Sequence, residues 1–369
     1  MDSLQDLVRS MVSGQQLIEA ILQYAAEQRS SDIHIEPLDT SVRVRLRCDG
    51  VLVPVCHIPK ERLDTMTARI KILANLDIAN KILPQDGRFA WQDFDLRVST
   101  MPTIRGEKTV IRLLETMPQE RRLHTLGMAS QAYELLRHIL QKQRGLFLIS
   151  GPTGSGKSTT LYAVLQELDQ VSLSIATLED PVEYGISGIS QSQIHVKQGL
   201  AFHNGLRALL RQDPDILVIG EIRDAETAQI AVRAALTGHM VISTIHTATA
   251  VDVPLRLIDM GVPTYLVADA LLGIMSQRLP RYLCSCRTQE GKGTGCALCQ
   301  QRGYKGRFCL AEVVPVGPHM TQAIRRQEHK EALNVAAKAD GALLFAEVMA
   351  EAVQQRLTDQ AELTRVYGV

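Results

Sequence analysis

Gly151-Pro152-Thr153-Gly154-Ser155-Gly156-Lys157-Ser158 matches G-x-x-x-x-G-K-[ST] at every fixed position, and the rest of the chain is read outward from it. Glycines let backbone N–H groups curl around phosphate oxygens where bulkier residues could not. A helix starting near Lys157 turns its positive end toward the same anion. Lys157 is expected to reach the β- and γ-phosphates of ATP, and the Ser158 hydroxyl to help hold Mg²⁺, with Thr159 next in the same nucleotide contact. Roughly 1% of chains this long would carry such an octet by chance. Its placement argues against a coincidental turn, because the apolar strand Leu146–Ser150 precedes it and a helix over Thr159–Leu168 follows.

From about residue 127, short apolar or β-branched runs alternate with helical segments. Leu146–Ser150, Leu173–Leu178, Ile216–Ile219 and Met240–Ser243 have the character of strands buried on both faces, which predicts a mostly parallel α/β sheet. In such sheets ligands gather outside the carboxyl ends of the strands, and here each end carries chemistry. Ile175–Leu178 runs into Glu179-Asp180-Pro181-Val182-Glu183, and Ile216–Ile219 into Gly220-Glu221-Ile222-Arg223-Asp224. Gly238-His239 precedes Met240–Ser243, which leads into Thr244-Ile245-His246-Thr247. Many NTPases have a magnesium-binding Asp where this chain has Gly220, so Glu221 becomes the candidate for Mg²⁺ and for positioning the attacking water. Glu179 is the second carboxylate that could polarise that water; the plainer alternative is a helix-capping acid. His246 is a candidate γ-phosphate sensor, with His239 a second, and an ordinary hydrogen-bonded histidine is the alternative for both.

The first 118 residues predict a small α+β domain. Leu17, Ile18, Ile21, Leu22 and Ala25 mark one face of a helix. Val42, Val44 and Leu46 alternate with Arg43, Arg45 and Arg47 along a strand, the arginines on a solvated face. Asp49-Gly50 supplies a hairpin turn; Asp86-Gly87 reads as a second turn, followed by strands near Phe89–Trp91, Phe94–Ser99 and Thr109–Leu114. A polar run with a proline, Met117–Arg122, marks a linker, taken as 119–126. Residues 127–280 form the nucleotide-binding core, 281–309 a cysteine-rich insert, and 310–369 a helical part. There is no internal repeat.

Lys plus Arg equals Asp plus Glu at 40 each, so no global basic field draws nucleic acid. The start of the chain lacks a basic stretch followed by an apolar one. The longest mostly apolar run, Tyr265–Met275, is far short of the ~20 residues that span a bilayer. A soluble, cytoplasmic protein is expected. Seven cysteines, an odd number without an export signal, argue against a disulfide framework. Cys284-Ser285-Cys286 and Cys296-Ala297-Leu298-Cys299 would suit a tetrahedral structural Zn²⁺, with four free thiols as the alternative; Cys309 reads as a core thiol. A GTPase is disfavoured because Asn80-Lys81-Ile82-Leu83 lacks the Asp of a guanine reader and precedes the phosphate loop.

Taken in order, these elements resemble the secretion-superfamily ATPases, in the branch of type II secretion and type IV pilus assembly. Thr177–Glu183 is similar to that family's Asp box, Gly220–Asp224 to its Walker B motif, and Thr237-Gly238-His239 through Ser243–Thr247 to its His box. Ser31-Asp32-Ile33-His34-Ile35-Glu36-Pro37 and Val98-Ser99-Thr100-Met101-Pro102-Thr103 resemble its N-terminal domain. The resemblance implies an N-terminal α+β (PAS-like) domain, a RecA-like P-loop ATPase domain and a C-terminal helical part. It also implies a hexamer that hydrolyses ATP with Mg²⁺ and works on an inner-membrane platform through partners, without nucleic acid. By position, Arg97 and Arg112 match arginines that the N-terminal domain supplies to the phosphates; the alternative is a solvated strand-face role. The branch usually carries two C-x-x-C pairs far apart, whereas here the first is C-x-C and the loop Arg287–Gly295 is short. The chain begins almost directly with the family's second domain, which puts its docking on a platform in question. A pilus-retraction or DNA-uptake ATPase is the nearest alternative, though retraction members typically lack the cysteine pairs. A DNA-acting RecA-like translocase, stimulated by DNA, is the alternative of another class. Glu179, Glu221 and His246 speak against a nucleotide that is only a structural ligand.

Overall fold

A computed structural model describes residues 8, 13–115, 122–168, 170–288 and 293–368. The chain divides into two compact units, Met1–Gln119 and Glu120–Val369; of the expected linker, 119–121 fall outside the described residues. Leu123–Thr125 is already one helical turn of the second unit, with Leu123 fully buried in its core.

In the first unit the helix Gly14–Glu27 buries the five residues predicted from spacing, and Ser13 with Gln16 forms a capping box at its start. The strands are β1 (Asp32–Pro37), β2 (Ser41–Cys48), β3 (Val51–Pro59), β4 (Gln85–Trp91), β5 (Phe94–Thr103) and β6 (Gly106–Glu115). They form an antiparallel sheet in the order β3-β2-β1-β6-β5-β4. Asp86-Gly87 is not a turn. It lies inside β4, and Gly87 is required by close approach: a Cβ there would stand 2.6 Å from the Ala74 carbonyl oxygen. The hairpin turn falls instead at Gln92-Asp93. Arg43 and Arg45 are not merely solvated either. Arg43 Nε and Arg45 Nη2 donate to the nearly buried Glu36 at 3.1 and 2.7 Å.

The second unit is built on β7 (Gly145–Ser150), β8 (Ile175–Glu179), β9 (Ser190–Gln193), β10 (Ile216–Ile219), β11 (Met240–Ile245), β12 (Leu271–Arg278) and β15 (Leu310–Pro315). Their order is β15-β12-β7-β11-β10-β8-β9. Every neighbouring pair is parallel except β12 with β15. β7, β8, β10 and β11 are buried along their whole length, as central parallel strands must be. The helical reading from residue 310 is corrected at its start. Leu310–Pro315 is a strand of this sheet, and the helices begin at Pro318. A small hairpin of β13 (Arg281–Leu283) and β14 (Tyr304–Arg307) carries the cysteines. Among the described residues no helix is long and apolar enough to cross a membrane.

Candidate nucleotide site

The phosphate loop leaves β7 at Ser150 and enters the helix Lys157–Glu167. Gly154 and Gly156 take φ of +78° and +88°, the left-handed region where glycine carries no steric penalty. The loop borders a pocket of about 310 Å³ that also receives Glu179, Asp180, Glu183, Glu221, Thr244 and His246. Lys157, Ser158 and Thr159 line it as well, so the carboxylates and histidine predicted from strand ends converge on one place. The parallel register explains this. Ser150, Ile219 and Ile245 end neighbouring strands β7, β10 and β11 on the same edge. His239 lies at the other end of β11, where its Nδ1 meets the Ala234 carbonyl at 3.1 Å. A six-residue strand separates it from the loop, so His239 stands apart from this chain's own phosphate loop in an ordinary hydrogen bond.

Lys157 Nζ donates to the Gly151 and Pro152 carbonyls at 2.8 and 3.0 Å. Burial pushes its pKa down to about 8, reinforced by Arg278 and opposed by Glu221. Glu221 forms an ion pair with Arg223 and lies 3.5 Å from His246 Nε2. Burial first, then Lys157, holds the His246 pKa below its ordinary value. Gly220 stands where many NTPases have an Asp. A Cβ there would lie 3.3 Å from Glu179 Cα and 3.4 Å from the Leu178 oxygen, so the packing of β10 on β8 favours glycine.

Glu179 caps no helix; it ends β8, and only 3% of it is exposed. Thr177 Oγ1 and Gln191 Nε2 donate to its Oε1 at 2.5 and 3.1 Å, and the Tyr162 hydroxyl donates to Oε2. Tyr162 also accepts the Glu183 N–H at 3.0 Å, which ties the phosphate-loop helix to the loop after β8. Sequence reasoning missed Tyr162, and it missed Gln277 and Arg278 at the end of β12. Gln277 Nε2 donates to the Ser155 carbonyl at 2.6 Å, and Arg278 Nη2 to the Ala248 carbonyl at 2.8 Å. The available signal was Ser276-Gln277-Arg278 closing an apolar run, the same polar end that flagged β8 and β10.

Arg97 and Arg112 lie in the first unit, where they are direct partners on β5 and β6. The cross-strand row runs Arg88, Arg97, Arg112, Asp32, Arg47, with Arg112 Nε donating to Asp32 at 3.2 Å. Arg88, Arg97 and Arg112 border a pocket of about 590 Å³. Like charges directly opposite one another destabilise a sheet, and an anion bound there would relieve the cost.

The altered cysteine spacing still closes. The Sγ atoms of Cys284, Cys286, Cys296 and Cys299 all lie within 4.8 Å of one another. Cys284–Cys296 is 3.7 Å, while Cys286–Cys299 and Cys296–Cys299 are both 3.8 Å. A tetrahedron with Zn–S bonds of ~2.3 Å has edges of ~3.8 Å, so the donor set fits zinc. The N–H groups of Cys296 and Gly303 donate to Cys299 Sγ at 3.2 Å each. Cys309 is a buried core thiol whose pKa burial pushes up to about 12.

The family model described as type II/IV secretion system protein matches residues 10–365. The chain is 44% identical to the protein transport protein HofB homolog of Escherichia coli K12, covering 96% of this chain and 81% of that one. It is 47% identical to the type II secretion system protein HxcR of Pseudomonas aeruginosa, over 88% and 71% of the two chains. With the type II secretion system ATPase E of Vibrio cholerae the identity is 40%, over 95% and 74%. Among solved structures, the pilus retraction motor PilT with bound ADP superposes with a TM-score of 0.65 at 25% identity, covering 96% of this chain and 97% of that one. The Legionella pneumophila ATPase DotB shares the fold, with a TM-score of 0.74 at 20% identity over 97% and 96% of the chains. These likenesses bear out the expected α/β architecture, a RecA-like ATPase sheet with a preceding α+β unit. With its phosphate loop, strand-end carboxylates and a family match over nearly its whole length, the chain belongs to the type II/IV secretion system protein family.

Proposed function

We propose that the chain is an ATP hydrolase that powers type II protein secretion or assembly of type IV pilus-like fibres, acting as a homohexamer beneath an inner-membrane platform. The observation that carries the enzymatic reading is the convergence of Lys157, Ser158, Glu179, Glu221 and His246 on one pocket. Relatives named for type II secretion, at 40 to 47% identity, support the biological direction. In this reading residues 151–159 bind the phosphates, and Lys157 exchanges its two carbonyl partners for phosphate oxygens. Ser158 and Glu221 would hold Mg²⁺, which would supply charge neutralisation at the phosphates. Glu179, oriented by three donors, polarises the attacking water, and His246 beside Glu221 senses the γ-phosphate. Arg97 and Arg112 bring positive charge to the transferring phosphoryl group, from the same or a neighbouring subunit. Cys284, Cys286, Cys296 and Cys299 would hold a structural Zn²⁺ within 281–309. Residues 1–118 form the N-terminal domain and 127–280, completed by β15, the ATPase core; the remaining helices form the C-terminal part.

Phosphate release by wild type, Lys157→Ala and Glu221→Gln tests the assignment. Wild type should turn over, Lys157→Ala should lose ATP binding, and Glu221→Gln should bind ATP without hydrolysing it. Wild-type turnover by Glu221→Gln would remove Glu221 from the mechanism.

A further inference from the structure

We infer that Gln277 is a positioning residue for the phosphate loop, holding it from below in the conformation that receives the phosphates. The inference rests on the nucleotide-binding reading of that loop. A loop whose N–H groups face an anion turns its carbonyls the other way, and each buried carbonyl then needs a donor. Ser155 presents such a carbonyl. Ser155 is 3% exposed and Gln277 1% exposed, and the Gln277 amide supplies the bond at 2.6 Å. The backbone of Gln277 meets the loop too. A Cβ on Gly151 would stand 2.7 Å from the Gln277 carbonyl oxygen, and one on Gly156 would stand 3.1 Å from its Nε2. The fixed glycines of the motif are therefore fitted to this residue as well as to a phosphate.

The arrangement is not the one stability alone would select. Gln277 Oε1 and Ser155 Oγ are buried without a hydrogen-bond partner among the described residues, a condition that costs free energy. Leucine at 277 would remove the Oε1 orphan and strand the Ser155 carbonyl in its place, so the fold gains and loses by similar amounts, whereas a purely structural glutamine would be missed chiefly by the fold. The two roles thus separate in the readout. If Gln277 positions the loop, its loss weakens nucleotide binding more than it lowers Tm.

The test is titration of a fluorescent ATP analogue with Mg²⁺ into full-length wild type, Gln277→Leu, Gln277→Met and Gln277→Glu, beside the Tm of each protein without nucleotide. Gln277→Leu and Gln277→Met should raise Kd about three- to tenfold, the worth of one buried hydrogen bond, with Tm within a few degrees of wild type. Gln277→Glu sets a carboxylate against the Ser155 carbonyl and should bind worse at pH 8. Its defect relative to wild type should shrink toward pH 6, where a protonated carboxyl can donate. A Kd within twofold of wild type in the folded variants, or a Gln277→Glu defect insensitive to pH, would overturn the inference. Failure of wild type itself to bind the analogue would instead overturn the nucleotide reading on which it rests.

Discussion

Replacing Cys296 by serine should strip a metal from the protein and loosen one defined segment while sparing the rest. Cys296 Sγ stands 3.7 Å from Cys284 and 3.8 Å from Cys299, two of the three edges that meet at its corner of the proposed tetrahedron. Structural zinc is worth ~10–16 kcal/mol apparent in small domains, which shared over four thiolates is ~2.5–4 kcal/mol each, or ~10²–10³ in metal affinity. The loss should stay local. β13 is anchored by Arg281 on the buried Glu362 at 2.6 Å, and β14 by the Tyr304 hydroxyl on Asp359 at 2.8 Å, neither of which needs the metal. Metal analysis should find one zinc per wild-type chain and less than about a tenth of that in Cys296→Ser. Hydrogen exchange should then accelerate between residues 284 and 303 and little elsewhere. Wild-type protein that takes up no zinc when it is supplied, with all four thiols freely reactive, would refute the reasoning.

Four further outcomes are expected. Lys157 has its pKa lowered to about 8 by burial, and a bound phosphate favours the charged form. Nucleotide affinity should therefore fall as pH rises through about 8, with proton uptake on binding measurable by calorimetry in two buffers; a flat profile from pH 7 to 9.5 would contradict this. The same depressed pKa means the unfolded chain binds more protons between about 8 and 10.5, so this group makes nucleotide-free stability rise with pH across that window. Lys71→Met should cost ~3–5 kcal/mol in urea unfolding, because it strands Glu107, 2.6 Å from Lys71 Nζ, with both side chains buried. Lys71→Met combined with Glu107→Leu should recover most of that, and a single-variant loss below 1 kcal/mol would sink the argument. Arg97→Ala should cut kcat at least ~10²-fold with Tm within a few degrees of wild type; turnover within twofold of wild type would remove it from the site.

Features written in consecutive residues were legible. The phosphate loop, the amphipathic helix Gly14–Glu27 and the four central strands each carry their own local pattern, and strand-end logic led to Glu179, Glu221 and His246 because parallel strands end together. What escaped depends on neighbours distant in sequence. Tyr162 looks like any helix aromatic until β8 brings Glu179 to its hydroxyl. Gln277 matters only because β12 lies beside β7. Leu310–Pro315 is hard to tell from the helices that follow it because its partner, Leu271–Arg278, is distant in sequence. Asp86-Gly87 has the composition of a turn, yet its glycine answers to Ala74 across a tight contact. The cysteines gather despite unusual spacing because the β13–β14 hairpin brings both pairs together, which spacing alone does not show.

The proposed ATPase, active as an assembled ring, is tested most directly by steady-state Mg²⁺-ATP turnover across a wide range of protein concentration, with and without single-stranded DNA, beside Glu221→Gln. Specific activity should rise with concentration, ignore DNA and disappear in the variant. Turnover that is independent of concentration and rises sharply with DNA would contradict the proposal and point to a DNA translocase.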